Sequence, residues 1–209
     1  MIDLGSAIHR VLSEYQTLTD FTQVPVEVEM VRKAVCGYSH VDNIEIKAFK
    51  LRTTHILGQV QFWRRGGMYK DETIEADIYV SSYLNDCWRR YVSCKEIMHC
   101  VLDQEDRDYV GDVTNLKALA ETLVNRSIAA LEDVQGFKTE VAAEIMATEV
   151  LFPLELRETY VDNYRAGLTT DMQLAMRYKI PKQIIKSAMA PHYMANVQKL
   201  RGEKRIDFD

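Results

Sequence analysis

Residues 93–100 read SCKEIMHC, which is close to a motif that holds a catalytic metal. Many zinc hydrolases carry His-Glu-x-x-His on a helix. Its two imidazoles, one turn apart, bind the metal, and the Glu beside the first is the general base. Glu96 and His99 have this spacing, but Lys95 stands at the position of the first His. A Glu-x-x-His pair alone is weak evidence, because short motifs recur by chance on polar helix faces.

Three segments that precede this stretch have the pattern of strands. Residues 44–50, 56–63 and 76–82 alternate or run apolar and are rich in β-branched and aromatic residues. Between the second and third lies RRGGMYKDE (64–72), a polar connection with two glycines that is typical of a hairpin loop. The sequence therefore predicts a small, mostly antiparallel sheet of three strands.

The rest of the chain has helical periodicity. The segment 86–102 places Trp88, Val92, Ile97 and Val101 on one side of a helix, with Asp86 as its N-cap, and the acidic segment 103–112 is predicted as a loop. Further helices are predicted at 1–15, after Pro25, at 114–134 with Thr114 as cap, at 138–151 before Pro153, and in two short pieces on either side of Pro181. These patterns predict an α+β fold.

Composition narrows the class of protein. The chain has 209 residues, enough for one domain with a substantial core, and its formal net charge of −5 gives no reason to expect direct nucleic-acid binding. No basic stretch with a following apolar run suggests a leader, and no apolar stretch approaches the roughly 20 residues that span a bilayer. The four cysteines form no CxxC pair, so we expect reduced thiols and a cytoplasmic location.

Two longer segments resemble a known family in order and in internal spacing. DIYVSSYLNDCWRRYVSCKEIMHCVL (77–102) is similar to the strand and motif helix of the ImmA/IrrE family of zinc metallopeptidase-like proteins. EVAAEIMATEVLFP (140–153) is similar to the family's second motif helix, without a gap, and LAMRYKIPKQIIKSAM (174–189) is similar to a later segment. The resemblance covers roughly residues 76–190.

The resemblance implies a zincin-like fold and a set of site residues. It implies one domain over 1–209: a core at about 55–155, where a small sheet packs against a predominantly helical part, and a C-terminal helical segment at about 156–195. Glu96 matches the general base, and His99 and Glu140 match two of the metal ligands. Cys94, Met98 and Glu144 also depart from the family pattern, and we expect those departures to affect packing more than chemistry.

Lys95 changes the chemistry of such a site. A catalytic zinc keeps three protein ligands and a water, and a protonated lysine repels a dication. We therefore expect zinc to be absent or weakly bound, and hydrolysis to be lost or severely weakened. Without a metal, Glu96 and Glu140 would converge as two carboxylates that need a cation, and the Lys95 ammonium could form an ion pair with either of them.

A substitute ligand would keep the alternative of an active enzyme open. Cys94 and Cys100 lie about 100° around the helix from positions 95 and 99. His55 and His192 could reach the site only through the tertiary fold. His9 and His40 have no supporting context.

The sequence thus favours a pseudoenzyme that regulates by binding a protein partner. The resemblance implies control of a helix-turn-helix repressor in a phage, mobile-element or stress-response setting. We expect strand 76–82 to form the cleft edge, where a partner strand could add to the sheet. The alternatives are an active zinc endopeptidase with a replacement ligand and a plain DNA-binding or structural interaction module on the same scaffold.

Overall fold

A computed structural model describes residues 4–18, 24–50, 56–66, 72–102, 109–112 and 135–202. It confirms the predicted α+β class. The predicted helix at 114–134 and its cap Thr114 lie outside the described residues, as does His55. Within the described ranges the strands are β1 Asn43–Phe49, β2 Ile56–Arg65, β3 Thr73–Ser81 and β4 Tyr109–Asp112; the helices are α1 Leu4–Leu18, α2 Val28–Tyr38, α3 Asp86–Leu102, α4 Gln135–Leu151, α5 Leu154–Glu158, α6 Val161–Arg165, α7 Asp171–Tyr178, α8 Lys182–Ala188 and α9 Pro191–Leu200.

The strands form one mixed sheet with the order β1-β3-β2-β4. β2 is antiparallel to both β3 and β4, whereas β1 is parallel to β3. The three predicted strands are present; of their two pairings one is antiparallel and one is parallel, so the sheet is mixed. β4 was not expected, because its four residues fall in the predicted loop 103–112 and are too few to show an alternating pattern. The prediction of 76–82 as an edge strand is wrong, since β3 has a paired neighbour on each side.

The two faces of the sheet differ as the alternation predicts. Ala76, Ile78 and Val80 of β3 are buried on the side that faces α3. Asp77, on the other face, pairs with Lys47 of β1, with 2.7 Å between Oδ1 and Nζ. One face is therefore part of the apolar core, and the other is polar.

Helix α3 lies in the middle of the core. It packs against β2 and β3, α2 and α4, and all ten residues from Tyr91 to Cys100 are buried. The sequence pattern, which placed apolar residues on one side of this helix, therefore predicted less burial than the structure has. Asn85, not Asp86, caps the helix, because the Asn85 side chain accepts a hydrogen bond from the Trp88 amide at 3.0 Å.

The other helices follow the predicted boundaries closely. α4 ends two residues before Pro153, and Pro181 separates α7 from α8. α2 begins at Val28, three residues after the predicted start at Pro25. Buried apolar side chains from every described helix except α6 join one core cluster with the inner face of the sheet, and α6 packs the partly buried Val161 and Tyr164 against it. No helix in the described ranges has both the length and the apolar character needed to cross a bilayer.

Candidate functional site

Helices α3 and α4 bring five ionisable side chains together in the core. Lys95 and His99 are one turn apart on α3, and Glu140 and Glu144 are one turn apart on α4, so each pair projects from one side of its helix. Glu96 lies next to Lys95 on α3. We call Lys95, Glu96, His99, Glu140 and Glu144 the Lys95 cluster.

The Lys95 ammonium is the centre of this cluster. Its Nζ lies 2.7 Å from Glu140 Oε2 and 3.0 Å from Glu96 Oε1. His99 Nε2 lies 3.3 Å from Glu140 Oε1. The sequence places Glu96, His99 and Glu140 in one pocket, and the structure brings these three side chains together around the lysine. The expected ion pair of Lys95 forms with both carboxylates.

The cluster is almost closed to solvent. The Lys95 side chain is 1% exposed, Glu96 and His99 are fully buried, and Glu140 is 14% exposed. Glu144 is buried as well. Of these five groups, Glu140 is therefore the one through which solvent reaches the cluster.

Burial and pairing act in opposite directions on the charges of Lys95 and Glu140. Burial by itself lowers the pKa of Lys95, but the charges of Glu96 and Glu140 raise it above its ordinary value. Burial by itself raises the pKa of Glu140, but the hydrogen bond from His99 and the charge of Lys95 lower it to about 2. Lys95 is therefore a cation and Glu140 an anion near neutral pH.

Glu144 is a member of the cluster that sequence reasoning missed. The residue was expected to matter for packing, yet burial raises its pKa to about 8, with Lys95 opposing and Glu140 adding to that shift. Its carboxyl group therefore holds a proton at neutral pH. The signal in the sequence was an acidic residue one turn after Glu140 on an otherwise apolar helix, where a solvated position is not available.

Several carboxylate oxygens of the cluster accept no hydrogen bond from the described residues. Neither oxygen of Glu96 accepts a hydrogen bond, although Oε1 is close to Lys95. Oε1 of Glu144 also accepts none. A buried acceptor without a hydrogen bond costs roughly 1–3 kcal/mol. The cluster thus has more acceptors than donors.

A glycine of β2 makes room for Glu96 under the sheet. A Cβ atom at Gly58 would lie 2.6 Å from Glu96 Oε1 and 2.5 Å from Val92 Cγ1, both shorter than real contacts allow. Gly58 pairs with Gly111 of β4. The cluster therefore lies beneath the end of the sheet formed by β2 and β4, and sequence reasoning did not single out Gly58.

These residues do not fit the ligand set of a catalytic zinc. Such a site needs three protein ligands, and only His99 and Glu140 match ligand positions. The Lys95 ammonium contacts the carboxylate that would bind the metal, so a dication there would meet a fixed positive charge. Among the described residues, no group of three His, Cys, Asp or Glu side chains has an arrangement suited to a metal ion.

The substitute ligands within the described ranges do not complete the site either; His55 lies outside those ranges. Burial raises the pKa of Cys94 to about 12 and so disfavours the thiolate, the form that binds metals. Cys100 Sγ lies 4.0 Å from the Glu96 carbonyl oxygen of its own helix. His9, His40 and His192 are exposed, away from the buried cluster.

The fold and the cluster define an α+β protein with a lysine–carboxylate centre buried between two helices and a sheet. Comparison of the chain with protein-family models, with curated protein sequences and with solved structures found no match. The likeness to ImmA/IrrE proteins rests on the residues and motifs given above.

Proposed function

We propose that the chain is a degenerate ImmA/IrrE-like metallopeptidase-fold protein that regulates by binding a protein partner and does not cut it. The observation that carries this proposal is the Lys95 ammonium, in contact with Glu96 and Glu140 where the family resemblance would put a metal. A helix-turn-helix repressor is the partner class that the resemblance implies. The four free cysteines support a reducing, cytoplasmic setting.

The state of Glu96 supports the absence of hydrolysis. A general base must come within hydrogen-bond reach of the water that it deprotonates. Glu96 is fully buried, paired with Lys95 and covered by Gly58, so neither a substrate water nor a peptide carbonyl can approach its carboxylate without a rearrangement. The residue at the general-base position acts instead as a counter-ion.

Partner binding would use the sheet edge beside the cluster. β4 pairs with β2 on one side, and no other strand in the described ranges pairs with it. Because Gly111 of β4 lies opposite Gly58, this edge is the one that borders Glu96. An extended partner segment could add to β4 by main-chain hydrogen bonds, which require no catalytic chemistry.

Metal analysis tests the chemical part of the proposal. Protein purified without added metal should contain far less than about one zinc per chain. Lys95→His should raise the zinc content toward about one, because it supplies the third ligand, whereas Lys95→Met, the matched control, should not. One zinc per unmodified chain would support the active endopeptidase. A metal-free Lys95→His protein would show that His99 or Glu140 is misassigned as a ligand.

A binding assay tests the partner part. The purified chain is mixed with a panel of purified helix-turn-helix repressors, and complexes are separated by size and weighed by mass spectrometry. The proposal predicts a repressor that is bound and recovered at full length. A cleaved repressor would contradict the non-catalytic role, and failure to bind any member of the panel would contradict the partner class.

A further inference from the structure

Helix α7 presents an apolar stripe to solvent. Leu168, Met172 and Met176 are spaced four residues apart and are 72%, 53% and 64% exposed. The buried side of the same helix is formed by Leu174, Ala175 and Tyr178. Met172 and Met176 lie one turn apart on α7, and Leu168 lies in the bend just before the helix. Single exposed apolar residues are common, whereas several close together along the chain are of the kind that marks an interaction site. Methionine also adapts its shape readily to a partner.

The chain around this stripe is basic, although the protein as a whole is acidic. From Met172 to Ala190 the sequence contains four basic residues and no acidic one, while the formal net charge of the chain is −5. All four basic side chains are exposed: Arg177, Lys179, Lys182 and Lys186. A partner for this surface should therefore carry negative charge beside apolar groups.

The stripe is held in a defined position. The Thr170 hydroxyl accepts a hydrogen bond from the Gln173 amide, and the Gln173 side chain accepts one from the Thr170 amide, which together form a capping box. Tyr164 of α6 donates a hydrogen bond to the Asp171 carboxylate at the first position of α7. At the other end, Lys179 has a left-handed backbone with φ of 53° that ends the helix. A surface fixed in this way loses little entropy on binding.

A cleft lies between α6 and α9. It has a volume of about 160 Å³ and is lined by Tyr164, Arg165 and four apolar residues that include Met189 and Met194. Tyr164, which lines this cleft, donates a hydrogen bond to Asp171, the first residue of α7. An apolar side chain beside an acidic group would suit this lining.

We propose that the α7 surface, defined as Leu168, Met172 and Met176 with Arg177, Lys179 and Lys182, binds an acidic amphipathic helix of a partner protein. An apolar stripe at four-residue spacing matches the i, i+4 anchors of such a helix, and the basic side chains match its acidic face. The surface contains no residue of the Lys95 cluster, so the inference holds whether or not the proposed function is correct.

A protein partner fits this surface better than duplex DNA. Lys182 and Lys186 could contact phosphates, but the exposed large apolar groups on α7 are Met172 and Met176, which a phosphate backbone would leave in water. Protein–DNA contacts are polar and strongly basic, whereas this surface combines charge with apolar area. Binding of duplex DNA by this surface is one of the outcomes that the experiment distinguishes.

The test uses a fluorescein-labelled synthetic peptide of about 20 residues as the partner helix. Its leucines follow i, i+3, i+4 spacing and its other positions are mainly glutamate. Fluorescence anisotropy should show saturable binding to the unmodified chain. Met172→Glu combined with Met176→Glu should weaken binding by about tenfold or more, because two apolar contacts are lost and two like charges are added. Lys179→Glu with Lys182→Glu should also weaken it and reduce its salt dependence.

Matched control variants show whether a loss of peptide binding is specific to the α7 surface. Phe49→Glu combined with Tyr83→Glu makes the same charge change at exposed apolar residues outside α7 and should change binding less than about twofold. Lys95→His should leave peptide binding unchanged, which distinguishes the α7 surface from the Lys95 cluster. Thermal unfolding of each variant checks that the exposed substitutions leave the fold intact.

Four results would overturn the inference. The peptide does not bind; a peptide with lysine in place of glutamate binds equally well; the chain binds duplex DNA but not the peptide, which assigns the surface to nucleic acid; or the chain alone sediments as a dimer that the methionine double variant dissociates, which assigns the surface to a second copy.

Discussion

Arg157 and Glu149 form a second buried ion pair, and its surroundings differ from those of the Lys95 cluster. Arg157 Nη2 donates to Glu149 Oε1, and Nη1 donates to the Ala188 carbonyl oxygen at 3.0 Å. Glu149 Oε2 accepts from the Leu154 amide at 3.2 Å. Both oxygens of this carboxylate are thus satisfied, and the pair ties α4 to α5 and α8.

In the Lys95 cluster one ammonium faces three carboxyl groups, and acceptors remain without donors. Glu96 and Glu144 keep oxygens that receive no hydrogen bond from the described residues, which the Arg157 pair avoids. In the Arg157 pair both carboxylate oxygens accept hydrogen bonds, although Arg157 Nε is buried without one from the described residues, whereas in the Lys95 cluster carboxylate oxygens remain unsatisfied. A buried charge group of the second kind is the more costly one to maintain.

The largest effect we predict is the loss of Arg157. Arg157→Met should lower the free energy of unfolding by about 3–5 kcal/mol, because it leaves Glu149 buried without its charge partner. Burial already raises the pKa of Glu149 despite the arginine, so Glu149 should take up a proton in this variant. Denaturant unfolding measured by circular dichroism would test this.

The matched control removes both partners. Arg157→Met with Glu149→Leu should be less destabilised than Arg157→Met alone, since the double variant leaves no uncompensated buried charge. Equal losses in the two variants would show that packing of the arginine, and not its charge, supports this region.

Lys95→Met should be less damaging, with a loss of about 1–3 kcal/mol. Glu140 is partly exposed, so solvent can compensate for part of the missing ammonium, whereas Glu149 is fully buried. The loss should be larger at pH 8 than at pH 5, where the carboxylates protonate more readily. Lys47→Met is the control: it breaks an exposed ion pair with Asp77 and should cost no more than about 1 kcal/mol. If Lys95→Met lowers the free energy of unfolding no more than Lys47→Met does, the Lys95 ammonium does not stabilise the cluster.

Gly58→Ala tests the space above Glu96. The added methyl should cost about 1–3 kcal/mol, because Val92 and Glu96 are both buried and must move. Gly37→Ala is the matched control: no atom lies within 4 Å of its Cβ position in α2, and the change should stabilise by up to about 1 kcal/mol. Adding Glu96→Ala should recover part of the Gly58→Ala loss. No recovery would mean that Val92 alone sets the limit.

Periodicity was sufficient for the longer strands and for helices such as α3 and α4, because these elements run long enough to show a period. It missed the five-residue helices α5 and α6 and the C-terminal α9. It failed for β4, which is too short, and for the order of strands, since alternation does not say which strands are neighbours. The β3 edge assignment failed for that reason. The tertiary pairing of β1 with β3 encloses β3.

The site shows a similar division. The spacing of Lys95, Glu96 and His99 on one helix predicted a common location, and the family resemblance added Glu140 from another helix. Glu144 and Gly58 were missed because their importance depends on what faces them across α3. A single sequence shows no such tertiary neighbours.

Glu144→Gln gives the most specific effect, a change in how stability depends on pH. Glu144 has a reference pKa of 4.5 and about 8 in the folded protein. Between these values the unfolded chain releases the proton while the folded protein keeps it, so stability should fall as pH rises, by at most about 1.4 kcal/mol per pH unit. Glu140 acts oppositely: with a folded pKa of about 2, its contribution is complete above pH 4.5 and is lost as pH falls toward 2.

In Glu144→Gln, therefore, stability should decline less between pH 5 and pH 8 than in the unmodified chain, while the decline below pH 4.5 should remain. Parallel slopes above pH 5 would mean that Glu144 does not hold a proton in the cluster. Lys95 would then face three negative carboxylates instead of two. The Lys95 cluster would carry an excess of negative charge, whereas Arg157 and Glu149 balance each other.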